Sequence, residues 1–178
     1  MSSFSIYSKI LCLTAFMAAS IVVKGQLYSD SITVNFFLLD ECKITQNMTA
    51  EINRLYTEFN SSSCQFIAYW PNFSSKPPKI EAFKEKYQLQ LPCKTDYYKT
   101  KAKKMQATIA PEVVVYDEKN KKILYRGRID NSYAKIGQRR RVITERNLHM
   151  ALTQISKQEQ IGIPITQAIG CFINFKEL

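Results

Sequence analysis

The chain has 178 residues, is 46% hydrophobic and carries a net charge of +10, a size that fits one domain with room for a sizeable core. Its basic residues are scattered as Lys99–Lys104, Lys119–Lys122 and Arg139–Arg141. A nucleic-acid surface needs a basic stripe with interleaved aromatics, so that partner class is set aside.

The first element is a leader. Ile10–Val23 is apolar and follows Lys9, the pattern of a secretory signal. The expected signal peptide is 1–25, cut before Gln26, and the mature chain is 26–178. Removing 1–25 takes away Lys9 and Lys24 and no acid, leaving +8. A secreted or periplasmic location follows. An uncleaved anchor is the competing reading and the only membrane contact expected. Cys12 lies inside the apolar run without a small residue before it, which argues against lipidation.

Ser31–Leu39 reads as a central strand. Ile44, Met48, Ile52, Leu55, Tyr56 and Phe59 then form one apolar stripe, so a helix is expected from about Ile44 to Phe59. Asn60–Ser63 ends it. Cys64–Trp70 is a second strand, Asn72–Pro78 a loop, and Lys79–Tyr87 a short helix. Leu89–Lys94 suits a brief edge strand, because Pro92 fits an edge. Lys99–Met105 is expected to be helical and exposed. Glu112–Tyr116 and Lys122–Arg128 form a hairpin. A last helix starts near Thr144, whose hydroxyl is the expected cap, with Leu148, Leu152 and Ile155 inward. Residues 159–178 read as an irregular tail. Strands joined by helices pair in parallel through right-handed crossovers, and the late hairpin is antiparallel. The expected fold is α/β and thioredoxin-like: a mixed central sheet flanked by helices.

Cys42 carries the chemistry. It stands where a strand gives way to a helix, near free N–H groups and the positive end of the helix dipole. Both favour thiolate, the reactive form. The mature chain has three further cysteines, Cys64, Cys93 and Cys171. Four allow three complete pairings, and the sequence leaves them open. There is no C-x-x-C pair, and His149, the single histidine, reads as a helix-surface residue, so no metal is expected. Cys64 is expected to be structural. Arg126 and Arg128 lie two apart and so share a strand face, where one could steady a thiolate or hold an acidic substrate group; an ion pair with Asp130 or another acid is the plainer role. Asn47, Asn60 and Asn72 begin N-x-S/T sequons.

Phe36–Cys42 with its helix, Ala110-Pro111-Glu112, Tyr125–Asp130 and the ending Pro164-x-Thr166-x-x-x-Gly170-Cys171-x-Ile173 together resemble the redoxin branch of thioredoxin-like proteins. That branch includes the alkyl hydroperoxide reductase/thiol-specific antioxidant proteins and their periplasmic relatives. The resemblance spans residues 31–173. It implies that Cys42 is the reactive cysteine and that Pro111 is cis and faces the sulfur, with Ala110 presenting its polar groups to a bound extended chain. The chain also departs from the family. Thr45 stands where thioredoxins carry their second cysteine. Asn35 and Leu39 stand where peroxiredoxins carry the proline and threonine that hold peroxide. Gln46 removes the C-x-x-x-C of copper-assembly relatives.

The expected function is exported thiol–disulfide exchange through Cys42. Pro111, Ala110, Thr45, Arg126 and Arg128 are the candidate substrate-binding residues. Cys171 is the first candidate for a resolving cysteine, because a flexible tail can return to the site, and Cys93 is the second. No cofactor is implied. The partners are protein thiols or disulfides, or a reducing dithiol protein. A thiol-dependent peroxide reductase and a non-catalytic binding module are the alternatives.

Overall fold

The computed structural model describes residues 26–176. The expected signal peptide lies outside the described residues. Nine strands and four helices are described: β1 Ile32–Phe37, α1 Lys43–Phe59, β2 Cys64–Trp70, α2 Pro77–Tyr87, β3 Cys93–Thr95, α3 Thr100–Met105, β4 Ile109–Ala110, β5 Glu112–Asp117, β6 Lys122–Gly127, β7 Tyr133–Lys135, β8 Gln138–Arg139, α4 Asn147–Ser156 and β9 Cys171–Phe172. The main sheet runs β3-β2-β1-β5-β6. β1 pairs with β2, and β2 with β3, in parallel; β5 lies antiparallel to both β1 and β6. This is the expected mixed thioredoxin-like sheet.

β1 and β5 are apolar almost throughout because both are interior strands. Every residue of β5 is buried, as are Val34, Phe36 and Phe37 of β1. α1 lays Ile44, Met48, Ile52 and Leu55 inward. Ile52 and Leu55 are fully buried, and each contributes about 1.5–3 kcal/mol by leaving water. The stripe that anchors α1 also fixes where its first turn, and hence Cys42, must sit.

Several expectations need correction. β1 is shorter than Ser31–Leu39, stopping at Phe37 before the chain bends toward Cys42. α2 begins two residues early, at Pro77-Pro78; proline suits a first turn, whose N–H groups have no helical partner. The edge strand is Cys93–Thr95 rather than Leu89–Lys94, since Leu89 and Leu91 turn into the core instead. α3 is not an exposed helix: Ala102 and Met105 are fully buried, and the Asp96 carboxylate accepts the Lys101 and Ala102 N–H groups at its start. Thr144 does not cap α4, which starts at Asn147; its hydroxyl accepts from Asn131 Nδ2 instead. The β7–β8 hairpin is unanticipated.

The tail is the largest correction, because it is fastened rather than loose. The Arg126 N–H donates to Pro164 and the Thr166 N–H to Arg126, both at 2.9 Å. The Thr166 hydroxyl lies 2.7 Å from the Tyr125 hydroxyl. Gly127, at φ +143, permits this contact, since a Cβ there would stand 2.2 Å from the Thr166 carbonyl oxygen. Further on, β9 pairs antiparallel with β4, Ile109 with Phe172 and Ala110 with Cys171. Ile173 is buried and donates its N–H to Thr108.

Asp117 ties the N-terminal segment to the β5–β6 turn. Burial opposes its charge, but N–H groups of Asn120 and Ser29, with the Ser29 hydroxyl and the Asn120 amide, outweigh burial and hold its pKa down at about 2. The unfolded value is about 3.9. A lowered carboxyl pKa contributes stability above the unfolded value and loses it as pH falls through the folded one. We expect Asp117→Ala to cost roughly 1–3 kcal/mol at neutral pH. Urea midpoints from pH 7 down to 2 should show the difference from the parent chain shrinking below pH ~4.

Candidate active site

The C-terminal end of β1 delivers the chain to Cys42, the N-cap of α1. The cap adopts extended backbone at φ −77 and ψ 115, so the sulfur stays beside the free first-turn amides. The Cys42 side chain makes no full cap hydrogen bond, yet the Thr45 and Ile44 N–H groups favour the charge on its sulfur. Across the cleft, the Ala110 carbonyl accepts from Cys42 Sγ at 3.3 Å. Ala110 precedes Pro111 through a cis peptide bond, the arrangement the family resemblance implies.

The decisive contact is to the tail. Cys171 Sγ lies 2.8 Å from Cys42 Sγ. Both thiols are free, and their sulfurs stand one short movement from a bond of about 2.05 Å. Pairing with Ala110 sets this approach. Gly170 makes the pairing possible: a Cβ there would stand 2.1 Å from the Ala110 carbonyl oxygen. Glu112 holds β4 from below, accepting the Thr108 and Ile109 N–H groups at 2.8 and 3.2 Å.

The four cysteines separate sharply in acidity. Burial opposes ionisation of Cys42, but the Cys171 hydrogen bond and the Thr45 and Ile44 amides outweigh it, so its pKa lies below the ordinary thiol value. Although Cys171 is exposed as a residue, partial desolvation of its thiol pushes it up to about 12, helped by its hydrogen bond to Cys42 and by that sulfur's charge. Burial alone lifts Cys64 to about 11 and leads the upward shift of Cys93. Cys42 is therefore the one described cysteine whose pKa is shifted downward.

Other expected site residues fall elsewhere. Thr45 is fully buried, so it serves through its backbone N–H and not through a substrate-facing hydroxyl. The strand ends at Gly127, so Arg126 and Arg128 turn to separate partners. Arg126 donates to Gln106 Oε1 at 2.7 Å and lies 4.0 Å from Glu112. Arg128 pairs with Glu145 at 2.6 Å and with Asn147. Neither arginine is among the groups that lower the Cys42 pKa. Arg126 does line a cavity of about 810 Å³ beside β9, with Ile136, Ile165 and Phe172. A smaller cleft of about 200 Å³ opens on the sulfurs between the Leu39–Glu41 turn, Asn72 and Ser74. His149 pairs with Glu58 on the surface. Among the described residues no cluster of His, Cys, Asp or Glu is placed to hold a metal ion.

Solved structures match this architecture. An uncharacterized conserved protein from Geobacillus kaustophilus superposes with a TM-score of 0.71 at 23% identity, over 84% of this chain and 80% of its own. A hypothetical protein from Sinorhizobium meliloti 1021 gives 0.64 at 18%, over 83% and 81%. MTB dsbF, solved in its mixed oxidized and reduced forms, gives 0.52 at 13%, over 71% and 81%. The protein has a thioredoxin-like fold. No family model and no curated protein matches the sequence.

Two measurements test this geometry. Thiolate absorbance of the reduced protein should show one titration below the ordinary thiol range, lost in Cys42→Ser and moved upward in Cys171→Ala, which removes a hydrogen-bond donor. Persistence of the low titration in Cys42→Ser would assign the acidic thiol elsewhere. Gly170→Ala should lift β9 from Ala110 and slow closure of a Cys42–Cys171 bond at least tenfold, the equivalent of about 1.4 kcal/mol. Stopped oxidation followed by alkylation reads that rate.

Proposed function

We propose that the protein is a thiol–disulfide oxidoreductase whose redox couple is Cys42–Cys171. The carrying observation is the 2.8 Å approach of the acidic Cys42 sulfur to Cys171. Cys42 is the nucleophile of the couple, and Cys171 supplies the second thiol that Thr45 cannot. Closing the bond removes two electrons from the pair and passes them to a partner disulfide; opening it takes two electrons from partner thiols. Pro111 and Ala110 shape the floor on which β9 lies. The likeness to MTB dsbF, a protein solved in oxidized and reduced forms, is in keeping with this reading. Action outside the cytoplasm rests on the apolar run Ile10–Val23.

Nothing favours the peroxide-reductase reading. Asn35 is buried in the sheet, its amide donating to Thr33 and Val114, and Leu39, beyond the end of β1, is an apolar side chain that is also buried. Neither supplies the polar grip on peroxide that the family resemblance would require.

Mild oxidation followed by non-reducing peptide mapping should recover Cys42 joined to Cys171, with Cys64 and Cys93 free. Exchange activity on a model protein disulfide should fall to background in Cys42→Ser and in Cys171→Ser. Cys64→Ser should keep activity while losing roughly 1–3 kcal/mol of stability. Cys42 recovered free with Cys171 unpaired would remove the couple and leave a one-cysteine enzyme or a binding module.

A further inference from the structure

The two sulfurs of the couple differ in access. Cys42 is 2% exposed, enclosed by the Ala110 carbonyl, the first turn of α1 and Cys171 itself. Cys171 is exposed, and Phe172 beside it is 77% exposed. Exchange proceeds by attack of a thiolate on one sulfur of a disulfide while the other leaves, so access decides which sulfur is attacked. Here the second sulfur arrives on the tail and lies over the first.

We propose that partner thiols exchange on Cys171, and that Cys42 is the inner sulfur that leaves. This rests on the reading of Cys42 and Cys171 as the redox couple. A partner thiolate bonds to Cys171 Sγ, the Cys171–Cys42 bond breaks, and its electron pair stays on Cys42, which departs as thiolate. A second thiolate of the same partner then attacks the partner sulfur held on Cys171. That closes the partner's disulfide and releases Cys171, which takes up a proton. The partner dithiol loses two electrons and two protons, one proton going to Cys171 and the other to Cys42 or to solvent. In reverse, Cys171 gives up its proton and attacks the partner disulfide, expelling one partner sulfur as thiolate; the Cys42 thiolate then attacks Cys171 Sγ in that mixed disulfide and expels the other. Leaving-group chemistry agrees with this order. The more acidic thiol leaves faster, and the acidic thiol is Cys42, whereas Cys171 is raised to about 12. The preferred partner is a protein bearing two neighbouring thiols that reach an exposed strand.

The test uses the oxidised full chain, its Cys42–Cys171 bond first verified by non-reducing mapping. Reduced glutathione is added in graded excess by rapid mixing, the reaction is quenched in acid, free thiols are alkylated, and peptides are mapped. The expected adduct is glutathione on Cys171 with Cys42 alkylated, in at least tenfold excess over the reverse. Glutathione on Cys42 in equal or greater amount, or no adduct on Cys171 at any concentration, overturns the assignment and leaves the couple standing. Failure to form the Cys42–Cys171 bond at the outset overturns the couple itself, and the proposal with it.

Discussion

The pairing of Ala110 with Cys171 is the constraint on which the site depends. One residue of β4 faces Cys42 with its carbonyl and β9 with its backbone. Its neighbours hold it there: Glu112 takes the N–H groups of Thr108 and Ile109, and Ile173 donates to Thr108. Upstream, Thr166 locks to Tyr125, Arg126 and Arg128. The segment over the sulfurs is thus pinned at both ends. Bringing a distant thiol to the site is then a matter of register, since the loop entropy has been met in folding the tail.

The strands and helices of the mixed sheet, and the place of Cys42 at the start of α1, were legible from the sequence because they depend on local signals. A period-2 run followed by a stripe of Ile44, Met48, Ile52 and Leu55 leaves little choice of element. The tail was legible only as a spaced pattern, Pro164, Thr166, Gly170, Cys171 and Ile173. In the fold, four of those residues have distinct physical roles. Thr166 bonds to the end of β6, Gly170 permits close approach to Ala110, Cys171 meets Cys42, and Ile173 fills the core. The two-residue strand β9 carries no periodicity, so composition read it as irregular. The buried side of α3 was hidden differently. Four lysines within Lys99–Lys104 mask the three-residue spacing of Ala102 and Met105. The arginines pair with acids, as the plainer reading had it, but not on one strand face, because β6 ends at Gly127 between them.

The site's electrostatics follow from its layering. Burial by itself would make Cys42 a poor acid, as it does Cys64 and Cys93. What separates Cys42 is its place at a helix N-terminus under a thiol that donates to it. The same hydrogen bond acts oppositely on its two ends, lowering Cys42 and raising Cys171. The hydrogen bond between the two sulfurs therefore steadies the reduced pair and favours ionisation at Cys42 over Cys171. A couple whose reduced form is stabilised in this way is the stronger oxidant. Two features oppose that tendency. Burial weakens the thiolate, and the tail's anchors favour the bonded state by holding the sulfurs together. The first acts on charge and responds to pH, whereas the second acts on geometry and does not. In the proposed couple the balance between oxidant and reductant therefore lies in how firmly Thr166 and Ile173, anchored to the end of β6 and to Thr108, hold β9 down.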